Sequence, residues 1–262
     1  MMDSTQPQIT LYRGFPRSGN YTWSPFVNKL EARLRFAGLA YRTEAGSPRT
    51  APRGKIPYAT ISPDNASPRT IADSTLIIDQ LVKDGLLDDI NAHLSPSQRM
   101  QDLAMRALFE DRLYFLQSFE KWQENYYTMR DHIFAASSYP LRVVVGWLAY
   151  RKQMHILYGQ GTLRFSPEEI SSMRWEIWKK LSSLLMSSKS QMLDCTTSDH
   201  PFWVLGGSTP CEADATVYGF IVSTLVCSAC PETQKVVKSF PILIQYAQKI
   251  HDCFFPDYVG WE

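Results

Sequence analysis

Two short runs, Lys55-Ile56-Pro57-Tyr58 and Ile71-Ala72-Asp73-Ser74, decide how the chain is read. Pro57 lacks a backbone N–H and holds Ile56 extended, so the first run is a bend that enters a strand. Tyr58 to Ile61 alternate as a strand does. Ser62-Pro63-Asp64-Asn65 is turn-forming, and Arg69-Thr70-Ile71 would return antiparallel. Asp73-Ser74 supplies an acid and a hydroxyl to cap a helix from Thr75 to Val82. A helix start of this kind, with unpaired N–H groups and a hydroxyl, suits a carboxylate ligand.

Upstream, Ile9 to Arg13 reads as a strand ended by Gly14, and Phe15 to Trp23 as an irregular loop. Ser24-Pro25-Phe26 is a helix start, with Ser24 as the cap and Pro25 in the first helical position. Phe26, Leu30, Leu34 and Ala37 recur at helical spacing, and Gly38 stops the helix. Ala40 to Glu44 is a second strand, which makes a parallel βαβ unit. Residues 45–54 are rich in Pro, Arg and Gly and read as a loop with room for one helical turn.

Downstream, Asp84-Gly85 and Asp88-Asp89 mark a linker, and the rest reads as helical. A capping box at Ser95 and Gln98 opens a long helix toward Tyr127. It carries Phe109, Tyr114, Phe115, Phe119, Trp122, Tyr126 and Tyr127, more aromatic surface than one buried face needs. Leu141 to Tyr158 forms a helix ending at Gly159, although Val143-Val144-Val145 also suits a strand. A second capping box, Ser166 with Glu169, opens a helix carrying Ile170, Met173, Ile177, Leu181 and Leu184. Residues 194–200 form a polar loop, and a last amphipathic helix spans Pro241 to Cys253. The division is an α/β unit over residues 1–88 and an all-α unit over residues 95–262.

The chain has 262 residues, 44% of them hydrophobic, enough for a sizeable core. A formal net charge of +1 points away from nucleic acid as the main partner. No run of about 18 apolar residues implies a membrane span, and Met1 to Gln8 is polar and frayed rather than a leader. Five cysteines without a secretion signal read as reduced thiols, so the expected compartment is the cytoplasm. Cys227-Ser228-Ala229-Cys230 has redox or zinc spacing, but no second Cys pair or His stands near it in sequence. The five histidines are scattered, so no metal is expected.

The order of parts resembles the glutathione S-transferase superfamily: a thioredoxin-like α/β first third and an all-helical remainder. Phe202-Trp203-Val204-Leu205-Gly206 followed by Thr209, Cys211, Glu212 and Asp214 resembles the signature that opens a core helix of the family's second domain. There a Ser or Thr caps and the Asp closes the box. Here Cys211 stands at the cap, so either the box is weakened or Thr209 and Glu212 take it over, and Asp214 needs a buried partner. The Phe15-Pro16-Arg17 loop, Ser24-Pro25-Phe26, Lys55-Ile56-Pro57 and Ala72-Asp73-Ser74 look most like the metaxin and axon-connection branch. Fungal relatives of that branch tailor secondary metabolites, one of them by isomerising a double bond.

The resemblance implies a cis bond at Ile56–Pro57, with the Ile56 backbone meeting the cysteinyl part of glutathione and Asp73-Ser74 taking its γ-glutamyl end. Lys55 would hold the glycine carboxylate, with Arg17 and Arg53 as alternatives. Ser24 stands where the family places a catalytic Ser or Cys, with Tyr21, Thr22 and Tyr12 as rivals, and Trp23 would stack on the tripeptide or merely pack. The second substrate, hydrophobic and conjugated, would meet Phe15, Phe109, Tyr114 and Trp122. Two classes of protein fit. One is a glutathione-dependent transferase or trans-to-cis double-bond isomerase, a homodimer in many relatives. The other is a non-catalytic, metaxin-like interaction module.

Overall fold

The computed structural model describes residues 7–62, 67–193 and 200–261. The turn Ser62-Pro63-Asp64-Asn65 beyond its first residue, most of the polar 194–200 loop and most of Met1 to Gln8 lie outside them. Four strands, β1 (Gln8–Tyr12), β2 (Arg42–Glu44), β3 (Tyr58–Ser62) and β4 (Arg69–Ala72), form one sheet in the order β2-β1-β3-β4. β1 runs parallel to β2, with Leu11 opposite Thr43. β1 pairs antiparallel with β3, placing Leu11 opposite Ala59, and β3 with β4, placing Tyr58 opposite Ala72.

Strand alternation turns Ile9, Leu11, Ala59 and Ile61 toward the helices α1 (Pro25–Phe36) and α2 (Ser74–Lys83). They pack there with Leu30, Leu34, Ile77, Ile78 and Leu81 into a closed apolar cluster. Residues 45–54 form turns without a helix.

The helical remainder corrects one expectation. The single helix toward Tyr127 is α3 (Pro96–Ala107), a π-helical stretch Leu108–Leu113, α4 (Tyr114–Phe119), a second π stretch Glu120–Glu124, a break at Asn125, and α5 (Tyr126–Ile133). A π turn holds one extra residue and re-phases the helix. Two charged neighbours, Glu120 and Lys121, are therefore both buried. α6 (Tyr139–Gln160) absorbs the three valines, because helix continuity overrides their strand propensity, and ends at Gly161 rather than Gly159. α7 (Pro167–Leu193), α8 (Glu212–Val226), α9 (Pro231–Lys238) and α10 (Pro241–Phe254) complete the chain.

α8 is buried along nearly its whole length and packs against α1. A Cβ on Gly219 would stand 2.6 Å from both Lys29 N and Pro25 O, so only glycine permits that approach. Ion pairs Lys29–Glu110 and Arg33–Glu212, each at 2.6 Å, tie the buried side of α1 to the helical part. Among the described residues no single helix is long and apolar enough to cross a membrane.

The core-helix box stays on Cys211 and Asp214. Asp214 accepts from Cys211 N–H at 2.9 Å and from the Cys211 thiol at 3.1 Å. Val204 N–H and the Tyr246 hydroxyl, each at 2.8 Å, supply the further buried partners. Glu212 is instead paired with Arg33.

Candidate functional site

Three local contacts bring the chain's two helix starts to one corner. Asp73 N–H donates to Pro57 O at 3.4 Å, and the Ile56–Pro57 peptide bond is cis. A Cβ on Gly14 would lie 3.5 Å from the Ile56 side chain, so the end of β1 sits against the same bend. Lys29 Nζ donates to Thr75 Oγ1 at 2.9 Å, which joins the second turn of α1 to the first turn of α2.

Asp73 caps α2 by accepting from Thr75 N–H at 3.0 Å. Its φ of 86° lies where a side-chain-bearing residue is strained. Ser74 is the first helical residue rather than part of the cap. It is 2% exposed, and its hydroxyl has no hydrogen-bond partner among the described residues. Asp73 itself is exposed.

Ser24 occupies the cap position of α1 with extended backbone, φ −90° and ψ 113°, but its side chain makes no capping bond. The local tie is made by Thr22 and Asn28 instead. Thr22 N–H donates to Asn28 Oδ1 at 3.1 Å, Asn28 Nδ2 to Thr22 O at 2.9 Å, and Thr22 Oγ1 to Ser24 O at 3.2 Å. The expectation that Ser24 both caps and donates is thus corrected: capping does not occupy its hydroxyl.

The rivals of Ser24 are differently placed. Thr22 is buried with its hydroxyl engaged. Tyr21 is buried in the helical core, its hydroxyl 2.5 Å from that of Tyr218 and 2.7 Å from His251 Nδ1. Burial pushes its phenol far above the ordinary range. Tyr12 stacks on Tyr58 with ring centroids 4.3 Å apart. As candidate catalytic groups Tyr21 and Thr22 are corrected to structural ones, because packing has used their donors.

Lys55, Arg53 and Arg17 have exposed side chains with no ion-pair partner among the described residues. Trp23 stacks on His132 at 3.4 Å and 6°, and Phe15 touches the same imidazole at 4.7 Å. Tyr114 meets Phe26, two residues on from Ser24, at 5.1 Å. Trp122 is half-buried. Phe109 is corrected: it is fully buried, edge-on to Trp178 and Phe220, and lines no cleft.

His132 and Phe26 join this wall without having been singled out in the sequence. His132 Nε2 is buried and unpartnered among the described residues. Burial, then the Lys121 ammonium, push its pKa down to about 4, so the ring is neutral at pH 7. No local motif marks it, since its partners lie more than a hundred residues upstream. Among the described residues no group of three His, Cys, Asp or Glu could hold a metal ion. The corner therefore presents a helix start for a carboxylate, an unengaged hydroxyl at a second helix start, and an aromatic wall beside it.

The family model described as "Glutathione S-transferase N-terminal domain" matches residues 25–129. The isoprene-epoxide glutathione S-transferase of Rhodococcus sp. (strain AD45) is 31% identical over 171 residues, which is 62% of this chain and 70% of that protein. The chain belongs to the glutathione S-transferase family. Its fold is that of FzlA from C. crescentus (TM-score 0.58, 14% identity, 95% of this chain and 91% of that one). It is equally that of Ure2p in complex with glutathione (TM-score 0.55, 12% identity, 95% and 91%).

Proposed function

We propose that this protein binds glutathione at the corner between the starts of α1 and α2 and activates its thiol for attack on a hydrophobic, conjugated substrate. The α-carboxylate of the γ-glutamyl end meets the N-terminus of α2 and the Ser74 hydroxyl, and Asp73 receives the ammonium. Ile56 offers its backbone to the cysteinyl unit, and Lys55 or Arg17 the cation for the glycine carboxylate. Trp23 flanks the tripeptide. Residues 1–88 thus serve glutathione, and residues 95–262 the second substrate, along Phe15, Tyr114 and Trp122.

The observation that carries this reading is the Ser24 hydroxyl, left out of the α1 cap and free to donate to sulfur. A free thiol near pKa 8.5 is mostly protonated at pH 7, and each unit of depression requires about 1.4 kcal/mol in favour of the thiolate. A hydroxyl donor and the positive end of α1 supply one or two units between them. Relatives support the substrate class: the Rhodococcus protein is named for an epoxide and glutathione, and Ure2p is described with glutathione bound.

Within that class the thiolate either adds to an electrophile and stays, or adds to a conjugated alkene and leaves after the former double bond has rotated. The second course is trans-to-cis isomerisation, as in the fungal pseurotin-pathway enzyme that the sequence resembles. A role in tailoring secondary metabolites in the cytoplasm belongs to this finer reading. Retention on immobilised glutathione, with release by free glutathione, is the expected result. A chain that passes through unretained has the shape without the ligand, as in the metaxin-like alternative. Incubation with conjugated polyenes separates the two courses: transfer adds the mass of glutathione, whereas isomerisation changes retention time at constant mass.

A further inference from the structure

Behind Trp23 lies a cluster that the transfer chemistry does not use. Cys227, at the end of α8, and Cys230, at the cap of α9, are both fully buried and joined by a tight turn in which Cys230 N–H donates to Cys227 O at 3.2 Å. The Cys230 thiol donates to the same carbonyl at 3.4 Å. With Ala229 they form an apolar cluster against which two half-buried side chains, Trp23 and Met129, pack.

The second π stretch turns Lys121 into this cluster. Lys121 is 6% exposed, and its one hydrogen bond among the described residues is to Trp23 O at 3.3 Å. Arg13, Lys29, Arg33, Arg130 and Arg174, the other buried cations described, each face a carboxylate. Lys121 makes no direct ion pair among the described residues: the nearby Glu120 carboxylate is bonded to Arg174 at 2.9 Å and to the N–H groups of Glu232 and Thr233 at the start of α9. A buried ammonium without an anion is costly. Burial alone would raise the Cys227 thiol, but the adjoining Cys230 thiol, the Lys121 charge and the Ala229 amide outweigh it and lower it. Burial alone would likewise lower the Lys121 pKa, but the two sulfurs, and after them Tyr114 and Glu120, raise it.

We propose that Cys227 and Cys230 are a redox-active dithiol, with Lys121 as counter-ion to the Cys227 thiolate, which exchanges with a small-molecule disulfide reaching it past Trp23. The natural oxidant of this class is glutathione disulfide, and that choice of oxidant rests on the glutathione reading above, whereas the reactivity of the pair does not. The Cys227 thiolate attacks one sulfur of the oxidant. The oxidant's S–S bond breaks, one glutathione departs as thiolate, and Cys227 carries the other in a mixed disulfide. Cys230 then gives up its proton and attacks the Cys227 sulfur, and the second glutathione leaves. Starting from the Cys227 thiolate, the protein loses two electrons and the one Cys230 proton; the electrons leave on two glutathione thiolates, which take up that proton and a second from solvent. Because Trp23 adjoins Ser24, the redox state of the pair would be felt at the glutathione sulfur.

The test uses the whole chain, reduced and then equilibrated with graded mixtures of glutathione and glutathione disulfide. Samples are quenched in acid, denatured, treated with N-ethylmaleimide and mapped by mass spectrometry. The expected result is a fragment holding residues 227–230 that loses two hydrogens and takes up no maleimide. Cys230→Ser should trap glutathione on Cys227, and Cys227→Ser should leave Cys230 free. Lys121→Met should slow the oxidation at pH 7 about tenfold, as loss of one unit of thiolate stabilisation requires. A parallel run with hydroxyethyl disulfide separates the two readings. Oxidation by that reagent but not by glutathione disulfide upholds the dithiol and removes glutathione disulfide as its oxidant. Maleimide on both sulfurs under either oxidant, while exposed Cys253 forms a mixed disulfide in the same sample, overturns the proposal.

Discussion

The starts of α2 and α8 are built from the same elements, an acid and a small polar residue at a helix cap, and they end in opposite states. At α8, Asp214 is wholly buried and its two oxygens take four donors: two backbone N–H groups, a thiol and a phenol. Nothing is left for a ligand, and burial raises its pKa to about 6. At α2, Asp73 is exposed, strained at φ 86°, and accepts one bond, while the neighbouring Ser74 hydroxyl has none among the described residues. Saturation marks a cap that holds the fold, and the unused hydroxyl at the strained cap is what the proposed glutathione site draws on.

The largest effect that bears on this contrast is at α8. Asp214→Ala should lower stability by about 4 kcal/mol in urea unfolding, since four buried donors lose their acceptor at once. A loss below about 1 kcal/mol would break the contrast. At the other helix starts stability should barely move while function falls. Ser24→Ala should cut kcat/KM with an aryl halide by about tenfold, and raise the pKa of bound glutathione by about one unit, as read from thiolate absorbance. Ser74→Ala should weaken glutathione binding by about tenfold in calorimetric titration, equivalent to about 1.4 kcal/mol.

Smaller still is the effect of strain. Asp73→Gly should be more stable than Asp73→Ala by about 1 kcal/mol, because glycine accepts the positive φ that alanine resists. Equal stabilities would mean that the backbone relaxes on substitution. The last prediction concerns acid. His132 ordinarily titrates near 6.5 and here near 4, so the unfolded chain binds that proton first. Its contribution is present above pH 6.5 and is lost as pH falls toward 4. The urea midpoint should therefore decline less steeply over that range in His132→Phe.

Local signals made the sheet and the helix starts legible. Alternation, proline positions and caps located β1, α1, β3, β4 and α2 to within about two residues. What sequence could not supply was which of two neighbouring hydroxyls is used up by the fold. Ser24 and Thr22 look alike in the chain, yet Asn28 engages Thr22 and leaves Ser24 out. The aromatic run was legible as a run but not as a surface. Helical phase sends Phe109 into the core, and the two π stretches shift that phase in a way no periodicity announces. His132 and Lys121 reach Trp23 only through tertiary packing, so spacing carried no trace of them.

The end of the described chain has a practical bearing on all these measurements. Val259 N–H donates to Gly19 O at 2.9 Å, and Asn20 forms a β-bridge with Val259. Tyr258 reaches Glu31 at 2.6 Å, and Asp257 clasps Arg35. These residues belt down the same loop that delivers Trp23 and Ser24. A substitution at Asp257 or Tyr258 would slacken that belt and shift the loop without unfolding the rest. In an assay such a variant would masquerade as damage at Ser24 itself.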